Sequence, residues 1–190
     1  MTYKCWYNTK IDVTKAIQSN WKIPDHNAKQ VWYFQSKDIF TQEWLDYMHQ
    51  ELHMPVGGAM VFYKPVGAST DVAHVDIMQR KQIQRDNIGI NWVLSGEDSH
   101  MVWYSESNLQ SMMLFTQAGT PYYTWSVSDS LEIDRCKIGK NEATIINPGI
   151  PHNIHVHSEP RWGISARLFL PRYIPFGVFV DHLRENKLIK

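Results

Sequence analysis

Beyond Gly57-Gly58 this 190-residue chain breaks into short segments that alternate apolar and polar residues, and that texture limits the fold more than any other feature. Residues 59–63, 71–78, 89–94, 100–104, 122–125, 130–133, 143–146, 152–156 and 161–170 read as strands. Turn signals separate them: Pro65-Val66-Gly67, Ser95-Gly96-Glu97-Asp98, Ala118-Gly119-Thr120-Pro121, the stretch 137–141, Asn147-Pro148-Gly149 and Ser158-Glu159-Pro160. A strand of this length must bury one face against something else. Strands so closely spaced therefore predict a mainly β (α+β) domain, an antiparallel sandwich or jelly roll with helices packed on one side.

The first 58 residues read as helical and irregular support. Aromatic runs at Trp6-Tyr7 and Val31-Trp32-Tyr33-Phe34 flank a predicted short helix over 12–19, with Asp12 as its cap. A longer helix is expected from Ser36 or Asp38, because Ile39, Phe40, Trp44, Leu45, Met48 and Leu52 recur at three- and four-residue steps; it should stop before Pro55. A short terminal helix is expected over 176–183. The length favours a single domain over 1–190: support at 1–58, a β core at 59–170 and an extension at 171–190.

Composition removes several function classes. Lys plus Arg and Asp plus Glu number 19 each, so no basic footprint points to nucleic acid or to an anionic membrane surface. Two cysteines, Cys5 and Cys136, make neither a C-x-x-C metal pair nor a disulfide framework. No signal-peptide core and no long apolar run occurs, so a soluble, cytoplasmic protein is the expectation. Oligomeric state is left open, and G-x-S-x-G is absent.

The chemistry concentrates in two stretches. In Val72-Ala73-His74-Val75-Asp76-Ile77 the two-residue period of a strand puts His74 and Asp76 on one face. In Pro151-His152-Asn153-Ile154-His155-Val156-His157 the same period puts His152 with Ile154 and Val156, and turns His155 and His157 the other way. The following strand carries Arg161, Gly163, Ser165 and Arg167 on one side. If Ser158-Glu159-Pro160 closes a hairpin, His152 lies opposite Ser165 with an arginine on either flank. Two histidines and a carboxylate on one side of a metal, with the other positions open, make the facial triad of non-haem iron oxygenases. A guanidinium nearby suits an anion, because its fork grips a carboxylate through two hydrogen bonds.

With these residues in view, the pattern resembles the 2-oxoglutarate/Fe(II)-dependent dioxygenase superfamily. That superfamily has His-x-Asp, a long gap, a second His, and an Arg or Lys about ten residues on. Here 75 residues separate Asp76 from His152, and Arg161 follows His152 by nine. The run from Tyr63 through Gly67 to His74 and Asp76 is similar to that of prolyl-hydroxylase-like members. Asn91-Trp92-Val93-Leu94, Met101-Val102-Trp103-Tyr104 and Asn147-Pro148-Gly149-Ile150-Pro151-His152 look like the aspartyl/asparaginyl β-hydroxylase-like branch. The resemblance spans roughly 59–170. It implies a double-stranded β-helix, a jelly-roll or cupin-like barrel, with Fe(II) on His74, Asp76 and His152. It also implies 2-oxoglutarate and O2 as co-substrates, hydroxylation of a C–H bond in a peptidyl or small-molecule substrate, and release of succinate and CO2. Contacts to the oxo acid would fall among Arg161, Arg167, Tyr63, Ser165 and Asn91. Spacing favours Arg161 for the distal carboxylate. Position 163 is Gly where relatives often carry the Ser of Arg-x-Ser, so Arg167 stays a competing candidate.

Two other functions compete. Pro148-Gly149-Ile150-Pro151-His152 also resembles the second cupin motif, which would make a metal protein that does not use 2-oxoglutarate; no His-x-His pair precedes it where cupins place one. A barrel without metal, binding protein or glycan through its aromatics, is the other. The stretches 83–87 and 105–120 are candidate lids on their length and polarity.

Overall fold

The computed structural model describes residues 4–27, 30–76, 88–105, 112–115, 121–127, 131–169 and 174–190. The predicted lid at 83–87, most of that at 105–120, and the predicted strand ends at 77–78, 130 and 170 lie outside them. In chain order the strands are β1 (Trp6–Asp12), β2 (Val31–Gln35), β3 (Val56–Lys64), β4 (Val72–Asp76), β5 (Gly89–Ser95), β6 (Ser99–Tyr104), β7 (Met112–Phe115), β8 (Pro121–Ser126), β9 (Glu132–Lys137), β10 (Glu142–Ile146), β11 (His152–Val156) and β12 (Arg161–Leu168). They form two antiparallel six-stranded sheets, ordered β1-β10-β5-β12-β3-β2 and β7-β8-β4-β11-β6-β9. From β3 to β6, and again from β9 to β12, each successive strand changes sheet.

Alternation explains how one sheet serves two cores. Along β5, Ile90 and Trp92 point away from the second sheet while Asn91 and Val93 point toward it; β12 sends Ile164 and Ala166 one way and Ser165 the other. The outward set packs with Ile39, Phe40, Trp44, Met48, Phe179 and Leu183 from the helical segments. Across the inner space, Val93 of the first sheet joins Met101, Trp103, Cys136 and Ile154 of the second. Both sheets thus exclude water on their facing sides, except where polar residues interrupt the inner layer.

Three sequence expectations fail locally. The helix over 12–19 does not form. Asp12 Oδ1 instead accepts hydrogen bonds from the Thr14 N–H and hydroxyl at 2.8 and 2.7 Å, and Ile17 bridges Phe40. The apolar residues there, Ile11, Val13 and Ala16, are buried by an extended chain and its turn, not by a helical stripe. The long helix is split into α1 (Ser36–Ile39), α2 (Gln42–Asp46) and a π-helical turn, Tyr47–Glu51. Phe40 is extended, and the Thr41 hydroxyl caps the new start by accepting from Trp44 N–H. The stripe of Ile39, Phe40, Trp44 and Met48 is nevertheless buried, as its spacing predicts. At the end of the chain, α3 (Phe176–Glu185) buries Phe176, Phe179, Val180 and Leu183.

The third failure matters most for the site. Residues 158–160 close no hairpin, because β11 pairs with β4 and β6 while β12 pairs with β3 and β5. The turn is held by its neighbour at 95–98 instead. His157 N–H donates to Asp98 O at 3.3 Å, and Ser158 Oγ to Asp98 Oδ2 at 2.9 Å. The chain therefore crosses from one sheet to the other, and β12 faces β11 across the inner space. Gly96, with φ of +78°, makes this crossing fit: a Cβ there would lie 2.5 Å from Arg161 Cα. No helix among the described residues is long and apolar enough to cross a membrane.

Candidate metal centre

β4 and β11 meet where His74 and His152 are register partners, with ring centroids 4.5 Å apart. Asp76, two residues along β4, points to the same side as the strand period requires, with Oδ1 3.8 Å from His74 Nε2. One ligand atom from each of His74, Asp76 and His152 lies within 4.8 Å of the others, so a single ion can touch all three. The two remote stretches thus meet as expected, whereas the hairpin expected to set Ser165 and both arginines beside His152 on the adjacent strand does not form.

Local bonds fix each ligand. His152 Nδ1 stands 2.9 Å from the Ile150 carbonyl, which can only accept; that nitrogen carries the proton and Nε2 is left bare for a metal. Asp76 N–H donates to Pro148 O at 3.0 Å, tying the end of β4 to the loop that leads into β11. Asn147 Oδ1 in turn accepts from Gly149 N–H within that loop. Arg167 donates through Nη2 to Asp76 Oδ2 at 2.5 Å, leaving Oδ1 facing the imidazoles. The Pro148-Gly149-Ile150-Pro151 run therefore sets the position of two ligands at once.

The charge states suit a cation. Burial and the nearby His152 hold His74 down to about 3 despite the opposing pull of Asp76, and burial lowers His152 as well. Burial alone would raise Asp76, but Arg167 and the two imidazoles overcome it and hold the carboxyl at about 2. At neutral pH the trio is two neutral imidazoles and one carboxylate, the deprotonated set that metal binding demands.

A cavity of about 410 Å³ opens beside the triad between the sheets. Met60, Phe62, Met101, Ile146 and Ile154 supply apolar walls, and Lys64, Asn91, Ser165 and Arg167 the polar ones. Asn91 and Ser165, register partners on adjacent strands, are 4% and 2% exposed, yet Asn91 Oδ1 and Ser165 Oγ have no hydrogen-bond partner among the described residues. Arg161 stands behind Phe62, its guanidinium carbon 5.4 Å from the ring centroid. It is 0% exposed, and among the described residues none of its three guanidinium nitrogens meets an acceptor. Burial pulls it down to about 10. A charge so placed is costly unless something else neutralises it.

Directly opposite Arg161 on β3 is Lys64, whose Nζ donates to Asn153 Oδ1 at 2.7 Å. Burial and the Arg161 charge hold Lys64 down to about 8. Two cations therefore face each other on neighbouring strands, and among the described residues no carboxylate pairs with either. The sequence reading missed Lys64 by stopping its strand at Tyr63. The alternation Met60, Phe62, Lys64, carried one residue further, places it on the cavity side.

Of the remaining candidates, Tyr63 borders the cavity but sends its ring away, against His26 at 4.4 Å and Trp162 at 5.0 Å. His155 and His157 do point away from the triad, as the strand period predicts. His155 Nε2 meets Tyr104 OH at 2.8 Å, and His157 Nε2 meets His100 Nδ1 at 3.2 Å. No family model matches the chain, and no curated protein matches it.

Proposed function

We propose that this protein is a non-haem Fe(II)- and 2-oxoglutarate-dependent dioxygenase that hydroxylates a C–H bond of a peptidyl or small-molecule substrate. The carrying observation is a mixed nitrogen–oxygen triad beside a cavity lined by Phe62 and Lys64, with the buried guanidinium of Arg161, unpaired among the described residues, against that Phe62 ring. Two imidazoles and one carboxylate on one side of an ion suit Fe(II) and leave its other positions open. The strand order supports a double-stranded β-helix, since β3–β6 and β9–β12 interleave between the two sheets.

Fe(II), held by His74, Asp76 and His152, would supply the redox chemistry for coupling O2 to decarboxylation of 2-oxoglutarate, with succinate and CO2 as products. What this chain adds is placement. His74, Asp76 and His152 hold the ion from one side. Arg161 and Lys64, lacking an anion of their own, receive the distal carboxylate of 2-oxoglutarate, and Phe62, Met101 and Ile154 keep water from its carbon chain. Ile150 O fixes the His152 tautomer and Arg167 fixes Asp76, so the donor atoms need not reorganise when the ion enters.

Anaerobic titration of Fe(II) with 2-oxoglutarate tests the reading. A visible charge-transfer band that saturates with 2-oxoglutarate, and is absent with 2-oxobutyrate at the same concentration, is the expected result. Metal binding without that band points to the cupin-type alternative. No metal binding leaves a non-catalytic binding barrel.

A further inference from the structure

We propose that Lys64 is a site of reversible modification by carbon dioxide, which converts its amine to a carbamate in the cavity wall. The modification itself needs neither iron nor O2; its consequence for 2-oxoglutarate rests on the oxygenase reading.

A lysine amine attacks CO2 only when it is unprotonated, and its carbamate persists where the surroundings favour an anion. Lys64 lines the cavity, so a small molecule can reach it. Its Nζ donates to two uncharged oxygens, Asn153 Oδ1 at 2.7 Å and Ser69 O at 3.4 Å. Among the described residues no carboxylate pairs with it to hold the ammonium form. Burial, and then the charge of Arg161, hold the amine down to about 8, so about half of it is free to react at that pH.

Asn153 matches the product better than the amine. It is 3% exposed, and its Oδ1 also accepts from Ile154 N–H at 2.7 Å, which fixes the oxygen end of the amide. Its Nδ2 is buried and has no acceptor among the described residues. An ammonium has no lone pair to offer that N–H group. A carbamate keeps one N–H on Nζ and carries an oxygen on the same side of its C–N bond. Those two groups meet the oxygen and the NH2 of one amide in a cyclic double hydrogen bond. Arg161, the fully buried register partner of Lys64, works in the same direction: the charge that opposes an ammonium there favours an anion.

In the reaction, Nζ attacks the carbon of dissolved CO2 and a C–N bond forms. One C–O π bond opens to leave the negative charge on oxygen, and Nζ releases one proton to solvent. No oxidant or reductant takes part. Two facing cations thereby become a cation facing an anion, and Lys64 can no longer receive the distal carboxylate of 2-oxoglutarate. CO2, a product of the proposed turnover, thus competes with the co-substrate.

The test follows metal-free protein carrying nitrogen-labelled lysine by carbon NMR, under carbon-labelled CO2 and bicarbonate near pH 8. Wild type should show a saturable signal from a carbon bonded to a lysine nitrogen, and Lys64→Gln should abolish it. Asn153→Asp keeps the side-chain shape but replaces the unmatched donor with an acceptor, and should take up CO2 roughly tenfold or more weakly. Near-ultraviolet circular dichroism checks that both variants are folded. No signal in wild type, or full signal in Lys64→Gln, overturns the proposal and leaves the oxygenase reading standing. Wild-type uptake in folded Asn153→Asp overturns the part given to the amide. A second arm adds Zn(II) and 2-oxoglutarate, which should displace the signal as the oxo acid saturates. A carbamate untouched by bound 2-oxoglutarate overturns the competition. Failure of 2-oxoglutarate to bind when CO2 is absent overturns the oxygenase reading and leaves the modification standing.

Discussion

Arg161 and Arg167 stand on the same face of β12, six residues apart, in opposite circumstances. At the Arg161 end the guanidinium is fully buried beside Phe62 and opposite Lys64, with no acceptor among the described residues. At the Arg167 end it is paired with Asp76, and that pair is what holds the carboxyl low. A buried charge with a partner explains itself; one without a partner implies something still to come. Under the proposed function, Arg167 serves the metal ligand Asp76, and Arg161 is left for a ligand that brings its own anion.

Stability of the metal-free protein should break or sharpen this contrast most strongly. Arg167→Met strands the Asp76 carboxylate and should cost about 3 kcal/mol or more in denaturant unfolding. Arg161→Met removes a cation that has no partner, and should be neutral or stabilising by about 1 kcal/mol or more. Equal losses from both would refute the distinction. In ligand binding the order reverses. Arg161→Met should weaken 2-oxoglutarate roughly a hundredfold while leaving metal affinity within a few-fold, as equilibrium dialysis can show.

The hairpin argument expected both arginines to flank His152 on one sheet. The two-residue period correctly put Arg161, Ser165 and Arg167 on one face and His74 with Asp76 on another, because side-chain direction is a local property of a strand. Which strands pair is not local. The crossing of residues 158–160 between sheets depends on pairings with β3, β4, β5 and β6 and on bonds to Asp98, all far off in sequence. The same limit applies at the N-terminus. Ile39, Phe40, Trp44 and Met48 read correctly as a buried stripe, but the break at Phe40 and the Thr41 cap depend on tertiary bonds such as Gln18 N–H to Ile39 O. Lys64 was within reach of the alternation. The missing acceptors around Arg161 were not, since a lack of partners appears only once every neighbour is placed.

Burial near the Arg161 end has a smaller, separate signature. Cys136 is pushed up to about 12 by burial although Arg161 pulls the other way, and Cys5 is raised to about 12 by burial and Asp134. These thiols keep their protons in the folded chain after the unfolded chain has lost them. Their contribution to stability is thus complete below about pH 8.5 and is lost as pH rises toward 12, at about 1.4 kcal/mol per pH unit for each thiol. Alkaline unfolding of Cys136→Ala should show the shallower slope, and thiol reagents should react with wild type only as it unfolds. An unchanged slope would mean that this end is wetter than its packing indicates. Smallest of all, Ser165→Ala should alter metal-free stability by less than about 1 kcal/mol, because Oγ gives up no hydrogen bond. A larger loss in the same unfolding assay would show that the hydroxyl has a partner.

A crystal structure grown anaerobically with Mn(II) and N-oxalylglycine tests the central claim most directly. The account predicts one ion bonded to His74, Asp76 and His152, with the distal carboxylate of the mimic on Arg161 and Lys64. An ion held elsewhere, or a distal carboxylate resting on Arg167, would contradict it.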